Sequence, residues 1–260
     1  MSADRETLPI LYRDEWMVAV HKPAGLLVHR TGLDRHETRF AVQMLRDQLG
    51  RRVWPAHRLD KGTSGVLLFA FDAGVAGALG GQFAAGAVAK RYLAVVRGHP
   101  APEGSIDHPL TRQRDDYEFI AGEDCSNEPQ PASTRFRRLA TTELPHAVDR
   151  YPTSRYALLE LEPLTGRKHQ LRRHLKHIAH PIIGDATYGK GAHNRLFTRL
   201  FGSRRLLLAC TGLGLRHPGD NREIAITAPP ADDFAAVLGH LGWETPPDPR
   251  FGPAGPGNAQ

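Results

Sequence analysis

Hydrophobic and polar positions alternate over several short stretches of the chain, which is typical of strands with one buried face. Residues 66–71 differ, because they form a continuous apolar run of the length expected for a buried strand. Together these patterns predict strands at 10–12, 16–21, 66–71, 91–97, 155–161, 206–208 and 223–227.

Apolar residues recur every three or four positions in other stretches, which is the spacing of one helix face. Residues 38–49 show this spacing and end at Gly50, a residue suited to stopping a helix. Residues 75–83 show it behind Asp72, whose side chain suits an N-cap. A third helix is predicted over 169–180.

Two segments carry neither pattern. Residues 99–133 are rich in proline, glycine and charge and predict a looped insertion, whereas residues 245–260 hold five prolines among glycines and predict a disordered tail. We therefore expect a short extension over 1–9 and one folded domain over 10–244. Short loops between neighbouring strands argue against a regular parallel βαβ series and favour an α+β fold around a largely antiparallel sheet.

The charge of the chain favours a polyanionic partner. Lysine and arginine number 34 against 28 aspartates and glutamates, which gives a formal net charge of +6, and fourteen histidines add positive charge as the pH falls. Nucleic acid is the leading candidate, although a basic surface without such a partner has the same composition. The two cysteines, Cys125 and Cys210, lack any ligand spacing, and no run approaches the roughly 20 apolar residues of a membrane span. We expect a cytoplasmic protein without a membrane segment.

Three clusters place charged or reactive groups at strand ends or loops, where chemistry is usually located. They lie at 57–65, 90–92 and 165–172. The first contains Asp60, and an attacking carboxylate needs a nearby cation such as Arg172 or Arg167. Taken alone, an aspartate before a Thr-Ser-Gly turn is more typical of an ordinary surface loop than of an active site.

The predicted helix over 169–180 carries cations without an acidic residue, which suits phosphate groups but also a solvated helix face. His174, His177 and His180 recur at intervals of three and raise the possibility of a metal site. No cysteine or carboxylate stands at ligand spacing, and the basic neighbours would repel a divalent cation. We therefore predict no metal.

These clusters, in this order, resemble the motifs of the RluA-type pseudouridine synthases, which isomerise uridine in RNA. The signature is His57-Arg58-Leu59-Asp60-x-x-Thr63-Ser64-Gly65. Further matching motifs are Lys22-Pro23-Ala24-Gly25, Lys90-Arg91-Tyr92, Thr165-Gly166-Arg167-Lys168-His169-Gln170-Leu171-Arg172 and His180-Pro181-Ile182-Ile183-Gly184-Asp185. The resemblance extends from about residue 10 to residue 229.

The resemblance implies a pseudouridine synthase fold, with a central, mostly antiparallel sheet in two joined halves, a catalytic cleft between them and flanking helices. It implies three catalytic residues, Asp60, Tyr92 and Arg172. It also implies five substrate-binding residues, which are Arg58, His57, Lys22, Arg167 and His169. The reaction neither changes oxidation state nor transfers a group to a second molecule, so we expect no cofactor.

The resemblance implies an RNA partner. The residues flanking the motifs favour a tRNA uridine, the one conventionally numbered 65. These flanking residues include Leu27-Val28-His29-Arg30 and Arg150-Tyr151-Pro152-Thr153-Ser154-Arg155-Tyr156. A uridine in ribosomal RNA or in a tRNA anticodon arm is the alternative, and an RNA-binding protein without activity is a second one. We expect a monomer without the N-terminal S4-type domain that several relatives carry. One departure is Leu208-Ala209-Cys210, where relatives usually read Leu-His-Ala.

Overall fold

The computed structural model describes residues 6–30, 37–113, 128–245 and 249–251, and within them the backbone forms twelve strands and five α-helices. The strands are β1 (Ile10–Arg13), β2 (Met17–Lys22), β3 (Trp54–Pro55), β4 (Ser64–Ala70), β5 (Ala89–Arg97), β6 (Glu103–Asp107), β7 (Leu110–Thr111), β8 (Pro129–Gln130), β9 (Ser133–Leu144), β10 (Ser154–Pro163), β11 (Leu208–Arg216) and β12 (Glu223–Thr227). The helices are α1 (Ala41–Leu49), α2 (Ala73–Ala84), α3 (Gln170–His177), α4 (Gly191–Phe201) and α5 (Asp232–His240).

Ten of these strands form one sheet in the order β1-β2-β4-β11-β5-β10-β9-β6, with β12 beside β11 and β3 beside β4. Among the described strands every pairing is antiparallel except that of β4 with β11. Strand β11 therefore joins an N-terminal half, which ends at β4, to a C-terminal half, which begins at β5. This architecture confirms the predicted α+β fold, with a mostly antiparallel sheet of two joined halves and flanking helices.

The central position of β4 explains its apolar sequence. All seven residues of β4 are buried, since neighbours flank it on both edges and side chains cover both faces. The helix that follows begins as predicted, because the Asp72 carboxylate accepts a hydrogen bond of 2.8 Å from the Val75 amide. The apolar faces of α1 and α2 contribute to the core of the N-terminal half.

The prediction of a looped insertion over 99–133 is wrong in part, because this segment contains strands. It contains β6, β7, β8 and the first residue of β9, while residues 114–127 lie outside the described part of the chain. The sequence of β9 shows no alternating hydrophobic pattern, because arginines and threonines occupy most of its exposed face. The strand nevertheless pairs with β10 along its whole length. Strand β11 begins at Leu208, where the predicted strand over 206–208 ends, and α4 and α5 carry no sequence prediction.

The predicted disordered tail contains three ordered residues. Residues 249–251 form a 3₁₀ turn, and the Phe251 side chain is buried against Gly212 of β11, whose lack of a side chain leaves room for the ring. Arg250 pairs with Glu162 at 3.1 Å. The remaining positions, 246–248 and 252–260, lie outside the described residues, as do residues 1–5. None of the helices in the described ranges is long and apolar enough to cross a membrane.

The single parallel pairing depends on Gly65. It has a φ of +110°, and a Cβ atom at this position would lie 1.9 Å from the Cys210 carbonyl oxygen. Glycine is therefore required on steric grounds where β4 approaches β11, both for the backbone conformation and for the space. The Thr63-Ser64-Gly65 sequence thus holds the two halves together beside the loop that carries Asp60.

We predict that Gly65→Ala destabilises the protein by more than about 3 kcal/mol, because the added methyl group must displace the β11 backbone. Urea unfolding measures this change. The matched control is Gly77→Ala in α2, where an added Cβ atom meets nothing within 4 Å and alanine should stabilise the helix by about 1 kcal/mol. Equal stability of Gly65→Ala and the parent protein would contradict this view of the junction.

Candidate active site

The loop between β3 and β4 carries Asp60 and is held from both ends. The Leu68 amide of β4 donates a hydrogen bond of 3.1 Å to His57 Nε2, and the His57 ring stacks on Phe83 of α2 with centroids 4.6 Å apart. Burial lowers the pKa of His57 to about 4, so the imidazole is neutral and can accept this bond. The Thr63 amide then closes the turn on the Asp60 carbonyl at 3.0 Å.

Lys22 also holds the loop that carries Asp60. The sequence predicts a substrate contact, but the side chain is fully buried, and its ammonium group donates to the carbonyl oxygens of Pro23, Leu26 and Lys61 at 2.9, 2.7 and 3.2 Å. Burial lowers the pKa of Lys22 to about 7, although the Asp60 charge opposes this effect. Lys22 therefore ties the 23–26 turn to the catalytic loop and does not face the cavity.

Arg172 of α3 bridges two carboxylates. Its Nη1 donates to Asp60 Oδ2 at 3.2 Å, while Nε and Nη2 donate to the two oxygens of Asp185 at 2.7 and 3.0 Å. The Asp185 side chain has no exposed surface, and it also accepts hydrogen bonds from the backbone amides of Thr187 and Tyr188. Arg172 is thus a fixed cation held against Asp60.

The pKa values agree with this arrangement. Burial would raise the pKa of Asp185, but its hydrogen bonds with Arg172 and the Tyr188 amide lower it below its ordinary value. Burial would lower the pKa of Arg172, yet the hydrogen bonds and charges of Asp185 and Asp60 raise it. Both members of the buried pair are consequently charged over the physiological pH range.

Tyr92 reaches the site from β5 in the other half of the sheet. Burial raises its pKa well above the ordinary value of 10, and neighbouring Cys210 adds to the effect. The phenol is therefore neutral and keeps its proton. Burial likewise raises the pKa of the Cys210 thiol to about 12. Ala209 and Cys210 stand where relatives usually have histidine and alanine. Ala209 is buried in the core, whereas Leu208 lines the cavity described below.

Asp60, Tyr92 and Arg172 line one cavity of about 560 Å³ between the two halves. This volume lies within the range for small-molecule sites and accommodates a nucleoside. A second cavity of about 660 Å³ adjoins it and shares Asp60, Arg172 and His169. Asp60 therefore lies at the boundary between the two cavities.

The other predicted substrate-binding residues divide into two groups. Arg58 and Arg167 are exposed at the cavity rim, where Arg167 Nε also donates to the Pro131 carbonyl at 3.2 Å. His57 and His169 form part of the wall. Of the five, only Lys22 lies away from the cavity surface.

His169 has a strained backbone. It caps α3 with a φ of 54°, a left-handed conformation that costs a residue with a side chain about 1–2 kcal/mol. This conformation places Nε2 3.9 Å from Asp60 Oδ2. Strain of this kind is often found at functional positions, where the surrounding structure enforces it.

Gln170 explains how the preceding loop is held. Its side chain is buried, its Oε1 accepts from the Thr165 hydroxyl at 2.7 Å and the Arg167 amide at 3.0 Å, and its Nε2 donates to the Ser133 carbonyl at 2.9 Å. This one amide therefore anchors the 165–170 loop to the start of β9.

The three histidines spaced by threes do not converge. His174 contacts the Thr134 hydroxyl and the His108 carbonyl at 3.0 Å each, whereas His180 contacts the Arg97 carbonyl at 2.8 Å. His177 stacks on the His108 ring with centroids 3.7 Å apart. These contacts attach α3 and the turn after it to the sheet and to residues 103–111.

Sequence reasoning gave no role to Asp185, Tyr188 or Lys90. Asp185 ends the last matching motif, which was the one available signal, but its pairing with Arg172 becomes visible only when the chain is folded. Tyr188 follows three residues later. Lys90 lines the cavity wall, and burial lowers its pKa.

Comparison with known proteins agrees with this site. The family model of RNA pseudouridylate synthases matches residues 16–177, a span that contains Asp60, Tyr92 and Arg172. The chain belongs to the RNA pseudouridylate synthase family. Members of this family are isomerases, and this chain is accordingly a pseudouridine synthase.

Several curated relatives match nearly the whole chain. The tRNA pseudouridine synthase C of Pasteurella multocida is 48% identical over 238 residues, which cover 92% of this chain and 98% of that protein. The enzyme of the same name from Haemophilus influenzae is 47% identical and covers 91% and 99%. Among solved structures, human RNA pseudouridylate synthase domain containing 4 superposes with a TM-score of 0.69 at 27% identity, covering 92% of this chain and 95% of that one.

We predict that Asp185→Asn lowers pseudouridine formation by at least about tenfold, because a neutral amide no longer holds the Arg172 guanidinium against Asp60. Single-turnover assays on an RNA substrate measure the rate, and thermal unfolding measures the fraction that is folded. The matched control is Glu143→Gln, which neutralises a carboxylate paired with Arg155 at 2.9 Å on the surface and should leave the rate unchanged. A fully folded Asp185→Asn variant with normal turnover would contradict the bridging role.

Proposed function

We propose that this pseudouridine synthase acts on tRNA, at the uridine conventionally numbered 65. The observation that carries the proposal is the meeting of Asp60, Tyr92 and Arg172 in one nucleoside-sized cavity between the halves of the sheet. Curated relatives named tRNA pseudouridine synthase C, at 46–48% identity over about nine tenths of the chain, support tRNA as the substrate. The residues that flank the motifs support the position.

The reaction needs a trapped nucleotide. The N1–C1′ bond of uridine breaks, the uracil turns within the site, and C5 bonds to C1′. C5 then loses its proton and N1 gains one, so substrate and product have the same composition. The base must therefore leave its stack and stay inside the cavity until the new bond forms. Atoms and electrons are conserved between substrate and product, so the isomerisation calls for no redox cofactor.

Asp60 is the reacting carboxylate. It attacks the nucleotide or assists removal of a ribose proton, and either route requires a carboxylate with limited access to water. Its side chain retains 26% of its exposure, and Arg172 compensates its charge at 3.2 Å. Tyr92, a neutral phenol, stacks on the base or carries protons to and from it.

The rim supplies the means of holding RNA. Arg58 and Arg167 are exposed beside the cavity, and their cationic groups match the phosphates that flank an everted nucleotide. We propose one catalytic domain over residues 10–244, acting as a monomer in the cytoplasm, where tRNA is found.

We predict that Asp60→Asn keeps the fold and the RNA affinity but abolishes pseudouridine formation, because the amide can neither attack nor accept a proton. Tritium release from RNA labelled at uridine C5 measures turnover, and filter binding measures affinity. Asp47→Asn is the matched control, since Asp47 lies on the surface of α1 beside Arg46. Normal tritium release by Asp60→Asn would remove Asp60 from the mechanism.

We expect deletion of the gene to remove pseudouridine from tRNA position 65 and to leave the other modified positions unchanged. Chemical mapping of pseudouridines in total RNA compares the deletion strain with its parent. Loss at a ribosomal RNA site or in an anticodon arm would instead assign a sibling specificity. No lost site, together with retained RNA binding by the purified protein, would indicate an inactive RNA-binding protein.

A further inference from the structure

Tyr188 contacts three residues that surround Asp60, namely Arg172, Asp185 and His169. It lies half-buried between α3 and α4, with its ring centroid 5.0 Å from the Arg172 guanidinium carbon. Its backbone amide donates to Asp185 Oδ1 at 2.9 Å, and its hydroxyl lies 3.1 Å from His169 Nδ1. The amide contact helps to hold Asp185, but the mechanism above leaves the hydroxyl unused.

The direction of the hydrogen bond between the Tyr188 hydroxyl and His169 Nδ1 depends on which atom receives the one phenolic proton. The Tyr188 hydroxyl has one proton, and Gln113 approaches it with Nε2 at 3.0 Å and with Oε1 at 3.2 Å. In the arrangement that uses the shorter of these contacts, the Gln113 amide donates to the Tyr188 oxygen and the phenolic proton goes to His169 Nδ1. A His169 ring that accepts at Nδ1 while neutral must carry its own proton on Nε2.

We propose that Tyr188 is a positioning residue that holds His169 in the neutral tautomer whose Nε2–H points toward Asp60 and the bound nucleotide. The inference rests on the proposed function, since it assigns a role within that reaction. Nε2 is 3.9 Å from Asp60 Oδ2, too far for a hydrogen bond. The N–H is therefore available to a substrate oxygen that enters between the two groups.

The strained backbone of His169 supports a positioned role for the ring. Its φ of 54° aims the imidazole at Asp60 while Nδ1 remains against Tyr188. An unconstrained surface histidine at a helix start has no need of this conformation, so the tertiary contacts enforce it.

The surrounding charges explain why the neutral form matters. His169 faces Asp60 and Asp185 as well as the cations Arg172 and Lys168. Burial lowers the pKa of His169, the Asp60 charge opposes this effect, and Arg172 reinforces it. A protonated imidazole would pair with Asp60 and draw the carboxylate away from the nucleotide. Donation by the Tyr188 hydroxyl to Nδ1 stabilises the neutral ring and prevents this pairing.

The test is Tyr188→Phe, which keeps the ring over Arg172 and the amide on Asp185 but removes the hydroxyl. We expect kcat to fall about tenfold, as for loss of one neutral hydrogen bond that orients a reacting group, with little change in KM. The rate of the parent enzyme should hold as the pH falls below 6.5, the ordinary histidine pKa, because the folded-state pKa of His169 is lower. In Tyr188→Phe the rate should begin to decline at a higher pH than in the parent enzyme, because the neutral ring has lost the hydrogen bond that stabilises it.

Tyr156→Phe is the matched control. It removes another tyrosine hydroxyl bound to a histidine, His193, at 2.7 Å in the core away from the cavity. A purely structural effect of losing such a bond would lower Tm in both variants without changing the pH profile of either. We expect only Tyr188→Phe to alter the profile.

A double-mutant cycle with His169→Gln decides whether Tyr188 acts through His169. If it does, adding Tyr188→Phe to His169→Gln lowers kcat no further, whereas additive losses would overturn the proposal. Histidine ¹⁵N resonances, assigned by comparison with His169→Gln, should show Nε2 protonated and Nδ1 unprotonated in the parent protein. The opposite tautomer would also overturn it. An inactive parent enzyme would refute the proposed function, but the tautomer measurement would still test the Tyr188 contact.

Discussion

The structure of the site depends on one arginine shared by two carboxylates. Arg172 uses Nε and Nη2 on buried Asp185 and reserves Nη1 for Asp60. The bidentate pair fixes the plane of the guanidinium, so the N–H groups of Nη1 have fixed directions. A buried charge without such a partner would be strongly destabilising, so loss of either member of the pair should disturb both the fold and the position of Arg172 beside Asp60.

The fold delivers these groups from separate parts of the chain. Asp60 enters from the N-terminal half, on a loop tied by Lys22 and His57, whereas Tyr92 and Arg172 belong to the C-terminal half. The parallel pairing of β4 with β11 joins the halves within a few residues of Asp60, and Gly65 makes that approach possible. The junction between the halves therefore lies close to the contact between Asp60 and Arg172.

Sequence reasoning succeeds where local chemistry is decisive. The buried run of β4 and the Asp72 cap are visible in the residues themselves. The residues alone left Arg172 and Arg167 as possible partners of Asp60, and the family resemblance indicated Arg172, which the structure places 3.2 Å from Asp60. Sequence reasoning fails where long-range contacts decide the outcome. Strand β9 is paired despite a polar pattern, and Lys22 looks like a substrate cation until three carbonyl oxygens are seen around its ammonium group.

We propose that Arg172 serves the reacting carboxylate more than it serves RNA binding. The direct test compares Arg172→Ala with the parent enzyme in single-turnover pseudouridine formation and in RNA affinity. We expect turnover to fall by a far larger factor than affinity. Equal losses in the two would contradict it, because Arg172 would then be a phosphate contact.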